Sequence, residues 1–282
     1  MDRRSFLIGS TLAAAPLPLP ALAAARRYPA GDATIVVGFA AGGAGDLAAR
    51  TAAKYAKSAR DLAVTLDFRP GAGGTIATDQ VARAKPDGSI LSLFSVSPLM
   101  VAPHIQKVPY DPAKDFTYVA AYAGISIPLF VHADSPFATW DELLDHARAN
   151  PGRLRWATAA PRGLAHIATE AAFRQEGVEA VFVPFGGGAE AVTALLGGHI
   201  DGVVASGYGP HLEAGSIRLL IETGPDPIPE QPELPTFKTR GYPLAIPAAY
   251  GLFGPADLPT EIVSWWEELL EEMTASDAYQ GF

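Results

Sequence analysis

Four glycine-rich segments, 38–45, 71–74, 159–163 and 186–188, each follow a strand-like run and precede a helical one. Turns of this kind present backbone N–H groups and a helix N-terminus to something negative: a nucleotide phosphate, a small carboxylate, or nothing at all. Glycine suits them because it lets the backbone approach closely and adopts positive φ without strain. Gly43-Ala44-Gly45-Asp46-Leu47-Ala48 fits G-x-G-x-x-G/A. Asp67 lies near where a dinucleotide site places its acidic residue. Against that reading, residues 38–42 separate the strand end at Val37 from the motif, whereas the fingerprint starts at the strand end. An exported NAD(P)-dependent oxidoreductase is therefore the rival to a carboxylate site. Nucleophilic catalysis finds no G-x-S-x-G elbow, and Ser95, Ser97 and Ser206 have no assignable His–Asp partners. His104, His132, His146, His166, His199 and His211 show no metal-ligand spacing. Glu267, Glu268, Glu271 and Glu272 read as a solvated helix face, and Trp265-Trp266 as packing.

The elements that must position these loops alternate along the chain. Strand patterns fall at 34–37, 63–68, 90–96, 128–131, 153–158, 180–184, 202–205 and 217–222. Helical patterns fall at 47–60, 76–84, 140–149, 165–175 and 189–196. This is the α/β pattern of βαβ units and mostly parallel sheet, with ligands at the strand C-terminal ends. Two segments read as hinges: 120–127, made of small residues, and 241–255, rich in Gly and Pro. A chain that leaves one lobe near 124 and returns near 248 forms lobe 1 from 26–124 with 248–282, and lobe 2 from 125–247. A cleft between two such lobes is a natural small-molecule site that closes by hinge motion.

Residues 1–25 of the 282 read as a cleaved export signal: Arg3-Arg4, an apolar run over 6–15, three prolines and Ala21-Leu22-Ala23. Arg3-Arg4-Ser5-Phe6-Leu7 resembles a twin-arginine signal, the alternative being an ordinary secretory one. Losing Asp2, Arg3 and Arg4 with the leader moves the net charge from −9 to −10, which argues against nucleic acid or anionic membranes as partners. No cysteine is present, which excludes disulfides, thiol chemistry and Cys-based metal sites. A hydrophobic content of 49% supports an ordinary core, and the expected location is the periplasm.

Taken in order, the motifs resemble the periplasmic solute receptors of tripartite tricarboxylate transporters, the Bug receptors, almost continuously from Tyr28 to about Leu270. They include Phe39-Ala40-Ala41-Gly42-Gly43-Ala44-Gly45-Asp46, Arg69-Pro70-Gly71-Ala72-Gly73-Gly74, Ala84-Lys85-Pro86-Asp87-Gly88 and Tyr110-Asp111-Pro112. His166 with Glu170, Pro184-Phe185-Gly186-Gly187-Gly188, Gly197-Gly198-His199-Ile200-Asp201 and Gly251-Leu252-Phe253-Gly254-Pro255 follow. The resemblance implies a two-lobed, flytrap-like receptor, each lobe a mostly parallel sheet flanked by helices. It implies no enzymatic activity, no metal or organic cofactor, and a monomer. Such a receptor binds a small mono- or dicarboxylate and delivers it to a membrane permease; a sensor without transport role is the related alternative.

By position, the resemblance places Phe39, Ala40, Gly42, Gly43 and Asp46 in the first anchoring loop, with Asp46 equally a helix cap. Gly73 and Gly74 shape the same wall. Thr158 contacts ligand from the second lobe, where His166 stabilises the loop. Gly186, Gly187 and Gly188, with Asp201 and Ser206, complete the opposite wall, Asp201 being equally structural. Two departures stand out. Where relatives carry a Gly-x-Gly-Ser type loop, this chain has Ala160-Pro161-Arg162-Gly163, which suggests Arg162 as a clamp on a second carboxylate, the alternative being a solvent-facing arginine on a rigidified loop. Relatives also continue past the position of Phe282, so the final elements of lobe 1 are expected either to be absent or to lie beyond this sequence.

Overall fold

A computed structural model describes Tyr28, residues 31–245 and 247–276, and Tyr279. Residues 1–25, read from the sequence as a leader, and the last three residues lie outside these described residues. The elements run β1 (Ala33–Val37), α1 (Ala44–Arg60), β2 (Val64–Phe68), α2 (Thr75–Ala82), β3 (Ile90–Phe94), α3 (Ala102–Ile105) and β4 (Phe116–Ile125). They continue as β5 (Pro128–His132), α4 (Trp140–Ala149), β6 (Leu154–Thr158), α5 (Leu164–Gln175), β7 (Ala180–Phe182), α6 (Gly188–Leu196) and β8 (Gly202–Val204). The last are α7 (Gly209–Glu213), β9 (Ile217–Glu222), β10 (Ala248–Pro255) and α8 (Thr260–Thr274).

Two five-stranded sheets result, ordered β2-β1-β3-β10-β4 and β7-β6-β8-β5-β9. In each, four strands run one way, and the fourth in the order, β10 or β5, runs against both neighbours. Those antiparallel strands bring the chain into each lobe from the other, so the sheets repeat one plan. Among the described residues, every parallel strand ends at the same cleft between the lobes.

The elements follow local chemistry. α1 is alanine-rich, a strong helix composition, and buries Ala48, Ala49, Ala52 and Ala56 on its sheet. It stops at Asp61, which takes a left-handed φ of 54° and returns its N–H to Lys57. α4 starts with a capping box: Thr139 Oγ1 accepts from Glu142 N–H while Glu142 accepts from Ala138 N–H. α8 buries Ile262, Trp266, Leu269, Leu270 and Met273 and turns its glutamates outward. Trp266 donates to the Tyr28 hydroxyl at 2.7 Å, and Trp265 packs edge-on to the same ring, so this tryptophan pair is packing.

The two segments read as hinges are structured. β4 pairs with β10 over Phe116–Ile125, so 120–125 and 248–255 form paired strands. The sequence 223–245 packs on lobe 2, where Tyr242 accepts from Trp140 Nε1 and donates to Glu176, each at 2.7 Å. What remains for crossing is Ser126 and Ile127 on one side and the return into β10 on the other. Lobe 1 has apolar clusters on both sheet faces, one under α1 and α8 and one around Val36, Leu99 and Phe253. Lobe 2 has the same plan, with Trp140, Trp156 and Phe173 in one cluster and Phe130, Leu195 and Leu219 in the other.

Candidate functional site

Three helices begin at the cleft, and each begins in the same way. α1, α5 and α6 have glycine N-caps, Gly43, Gly163 and Gly187, none with a side-chain cap bond. In each, the side chain three residues past the cap reaches back to the N–H just before it. Asp46 Oδ2 accepts from Gly42 N–H at 2.8 Å, His166 Nδ1 from Arg162 N–H at 2.9 Å, and Glu190 Oε2 from Gly186 N–H at 2.8 Å. The loops are thereby fixed from behind. The first-turn N–H groups have no acceptor within the helix; that of Leu164 in α5 is taken by Ser97, and the others stay available at the front.

These termini border a cavity of about 270 Å³ between the lobes. Its size is at the small end of the roughly 300–1,000 Å³ usual for organic-ligand sites. Phe39, Ala40 and Gly42 to Gly45 form one wall; Thr158 to Ala160 and Gly187 to Ala189 face them. No Lys, Arg, Asp or Glu side chain lines it, and His211 and Tyr250 are its ionisable groups. Burial raises the Tyr250 phenol above its ordinary range, an effect the neighbouring Ser206 hydroxyl opposes. An anion there meets helix N-termini and backbone donors in place of a charged side chain.

The lobes touch across this cavity. Ser97 Oγ of lobe 1 accepts from Leu164 N–H of lobe 2 at 3.1 Å. Ala40 stands so close to Gly187 that a Cβ on the glycine would lie 3.1 Å from the Ala40 Cβ. The cleft is closed.

Of the residues singled out in the sequence, Phe39, Ala40, Gly42, Gly43, Thr158, Gly187, Gly188 and Ser206 lie on the cavity wall. Asp46 is buried one turn behind it, holding Gly42, with Oδ1 at 2.6 Å from Arg50 Nε but not aligned as a hydrogen bond. Gly186 sits behind the wall and donates to Glu190. Gly73 and Gly74 have φ of 67° and 93° and shape the rim, Gly73 opposite Pro161 and Gly74 against Pro98. Asp201 is at the wrong end of its sheet: it binds Arg155, near the start of β6, through N–H at 2.7 Å and guanidinium at 3.0 Å. Arg162 lines a separate surface groove with His166, Glu170, Arg174 and Pro243.

His166 anchors the second-lobe loop as a neutral acceptor. Burial holds its pKa below the ordinary value, Glu170 pulls it upward and Arg162 presses it down. Its ring stacks on Phe182 at 3.9 Å and meets Trp156 edge-on. Arg162 takes φ of 61°, a left-handed conformation that glycine adopts freely, so this loop keeps a glycine-like path despite its different residues.

The sequence reading missed Ser95, Ser97, Ile125, Ile127, Ala248 and Tyr250, which also line the cavity. The two serines carried a signal, their place just after β3, which was weighed only for nucleophilic chemistry. Asp67, the acidic residue of the dinucleotide alternative, is engaged by Arg69 at 3.0 Å and Gln80 at 3.4 Å and lies away from the cavity. Among the described residues no group of three or more His, Asp or Glu is arranged to hold a metal, and no helix is long and apolar enough to cross a membrane.

Two α/β lobes of one plan, closing on a small cavity at their strand ends, define a periplasmic solute-binding protein. The model of the tripartite tricarboxylate transporter family receptor matches residues 48–282, and the chain belongs to that family. A UPF0065 protein of Cupriavidus necator is 33% identical over 269 residues, covering 93% of this chain and 82% of the relative. An R. palustris protein solved with adipate superimposes with a TM-score of 0.81 at 29% identity, covering 89% of this chain and 86% of that one. MatC from Rhodopseudomonas palustris, solved with malate, gives 0.81 at 26% identity, covering 90% and 87%. The family is one of solute-binding receptors, which sets aside the oxidoreductase alternative.

Proposed function

We propose that this chain is a periplasmic receptor, exported with a cleaved leader, that closes its lobes around one small carboxylate and delivers it to a membrane permease. The observation that carries this reading is the convergence of three helix N-termini with glycine caps on a cavity whose wall, among the described residues, has no Lys, Arg, Asp or Glu side chain. Phe39, Ala40, Gly42 and Gly43 hold the ligand from lobe 1, and Thr158, Gly187 and Ser206 from lobe 2. Adipate and malate in the two structural relatives support the carboxylate class. Neutral backbone donors suit an anion that must later be released.

The test is thermal unfolding against mono-, di- and tricarboxylates, with NAD and NADP as controls. A ligand at 100 times its Kd adds about 2.7 kcal/mol, roughly 5–10 °C in Tm for a chain of this length. A shift with one carboxylate class and none with nucleotides is expected; stability unmoved by every carboxylate would refute the reading. Because Arg162 lies on the outer groove, Arg162→Ala is expected to leave the affinity for the best carboxylate within about twofold by calorimetry. A loss of tenfold or more, about 1.4 kcal/mol, would instead place its guanidinium on the ligand.

A further inference from the structure

Behind the crossing segments lies a second cavity, of about 320 Å³. Both lobes line it: Gly124 and Ala248 come from β4 and β10, and Ala168 and Glu222 from α5 and β9. Ile125 and Ile127 separate it from the ligand cavity, contributing to both walls. Any rotation of one lobe against the other changes its shape.

Glu222 is 3% exposed. Its Oε1 accepts from Ile127 N–H at 3.1 Å, on the first crossing, and from Gly224 N–H at 2.8 Å, where the chain starts back. Thr223 Oγ1 adds a bond to Ile127 O at 2.7 Å. The side chain thus pins the first crossing, at Ile127, to the chain leaving β9. Oε2, by contrast, is buried with no hydrogen-bond partner among the described residues. A carboxylate in that position is stable when a proton neutralises it or when water reaches it.

Among the described residues no cationic side chain lines this cavity. The cavity wall holds one other ionisable residue, Asp226, at its exposed end. Tyr208, beside Ser126, feels the charges of Glu222 and Glu230. β4, β10 and α5 bring no ionisable group to the wall. Burial pushes the Glu222 carboxyl up to about 7, against the pull of backbone N–H bonds from Ile127, Gly224 and Thr223.

We propose that the cavity behind the hinge is a proton site, with Glu222 as its acceptor, whose occupancy is coupled to closure of the lobes. A proton from solvent binds Glu222 in the closed form, where the carboxyl is buried beside Ile127. Ionised Glu222 favours a more open form, in which parting of the lobes that line the cavity lets more water reach Oε2.

The test uses the purified protein without ligand, so its failure leaves the receptor reading untouched. Glu222→Gln keeps an oxygen for Ile127 and Gly224 but cannot titrate. Carbon-13 NMR of the carboxyl groups is expected to show one resonance, absent from the variant, that titrates between about pH 6 and pH 8. Small-angle scattering is expected to show a radius of gyration that rises from about pH 6 to pH 8 in the parent and stays at the lower value in the variant.

Stability supplies the sign. The folded carboxyl holds its proton up to about 7, against an ordinary 4.5, so its contribution is greatest below 4.5 and is lost as pH rises through 7. The variant should therefore melt up to about 10 °C above the parent near pH 8. A Glu222 resonance titrating in the ordinary carboxylate range, or a parent radius that does not change with pH, overturns the proposal. So does a pH response that survives in the variant. If the variant does not fold, the parent's titration and scattering alone decide.

Discussion

A Gly187→Ala variant is expected to fold as the parent does and to bind its ligand roughly 5–150-fold more weakly. Gly187 is the N-cap of α6, with φ of 178° and ψ of 173°, an extended backbone that alanine adopts without strain. An added Cβ meets one neighbour within 4 Å, the Ala40 Cβ at 3.1 Å. That atom belongs to the other lobe, so the crowding exists when the cleft is closed and disappears when it opens. Over-packing of this kind costs about 1–3 kcal/mol, charged here to the closed state alone. The ligand-free melting temperature should stay within about 2 °C of the parent while the ligand-induced shift shrinks or vanishes. Adding Ala40→Gly removes the opposing Cβ and should restore affinity. Failure of the double variant to recover, with both chains folded, would mean that Gly187 acts through its own loop and not across the cleft.

The same cleft shows what a single sequence reveals and what it hides. The loops after β1, β6 and β7 were legible because glycine following a strand and preceding a helix is chemically specific. Eight of the residues read from the sequence, those in these loops together with Ser206, face the cavity. Asp46 and Glu190 brace their loops from behind, a role that composition does not separate from ligand contact. Ser97 offered nothing in its spacing, because its partner is a backbone N–H on the other lobe, 67 residues on. Arg162 was open between a clamp and a solvent-facing side chain because charge alone fits both; it has a left-handed backbone and lines the outer groove.

The fold was legible wherever burial left an apolar strand beside an amphipathic helix. It was misread at β4 and β10, where Ala120, Ala121, Ala123 and Gly124 and the Gly- and Pro-rich run before Pro255 suggested flexibility. Small residues there serve close approach. The pair is bulged between Tyr250 and Gly251 and again between Leu252 and Phe253, which lets one strand follow the curve of the other. Backbone pairing needs no side chain, so a strand of small residues leaves little trace in the pattern of hydrophobicity.

That geometry makes Gly251→Ala the substitution with the largest expected effect on stability, a loss of about 3–5 kcal/mol, or roughly 6–20 °C in Tm. An added Cβ at Gly251 would lie 2.2 Å from Ala120 O and 2.8 Å from the Ala121 Cα. Both are backbone atoms of β4, held by the sheet, so no rotamer change relieves the contact. β10 would have to move off β4 in the middle of lobe 1, where Leu252 and Phe253 are among the most deeply buried residues. Gly124, on the facing strand, is the control: a Cβ there meets nothing within 4 Å and its φ is not positive. Gly124→Ala should change stability by less than about 1 kcal/mol, in the stabilising direction if the reduced freedom of the unfolded chain dominates. Calorimetric melts of the two variants separate a steric need at the bulge from a general need for flexible glycine near the crossing. Equal losses at both positions would favour flexibility; a loss confined to Gly251 assigns the glycine to the close contact between β10 and β4.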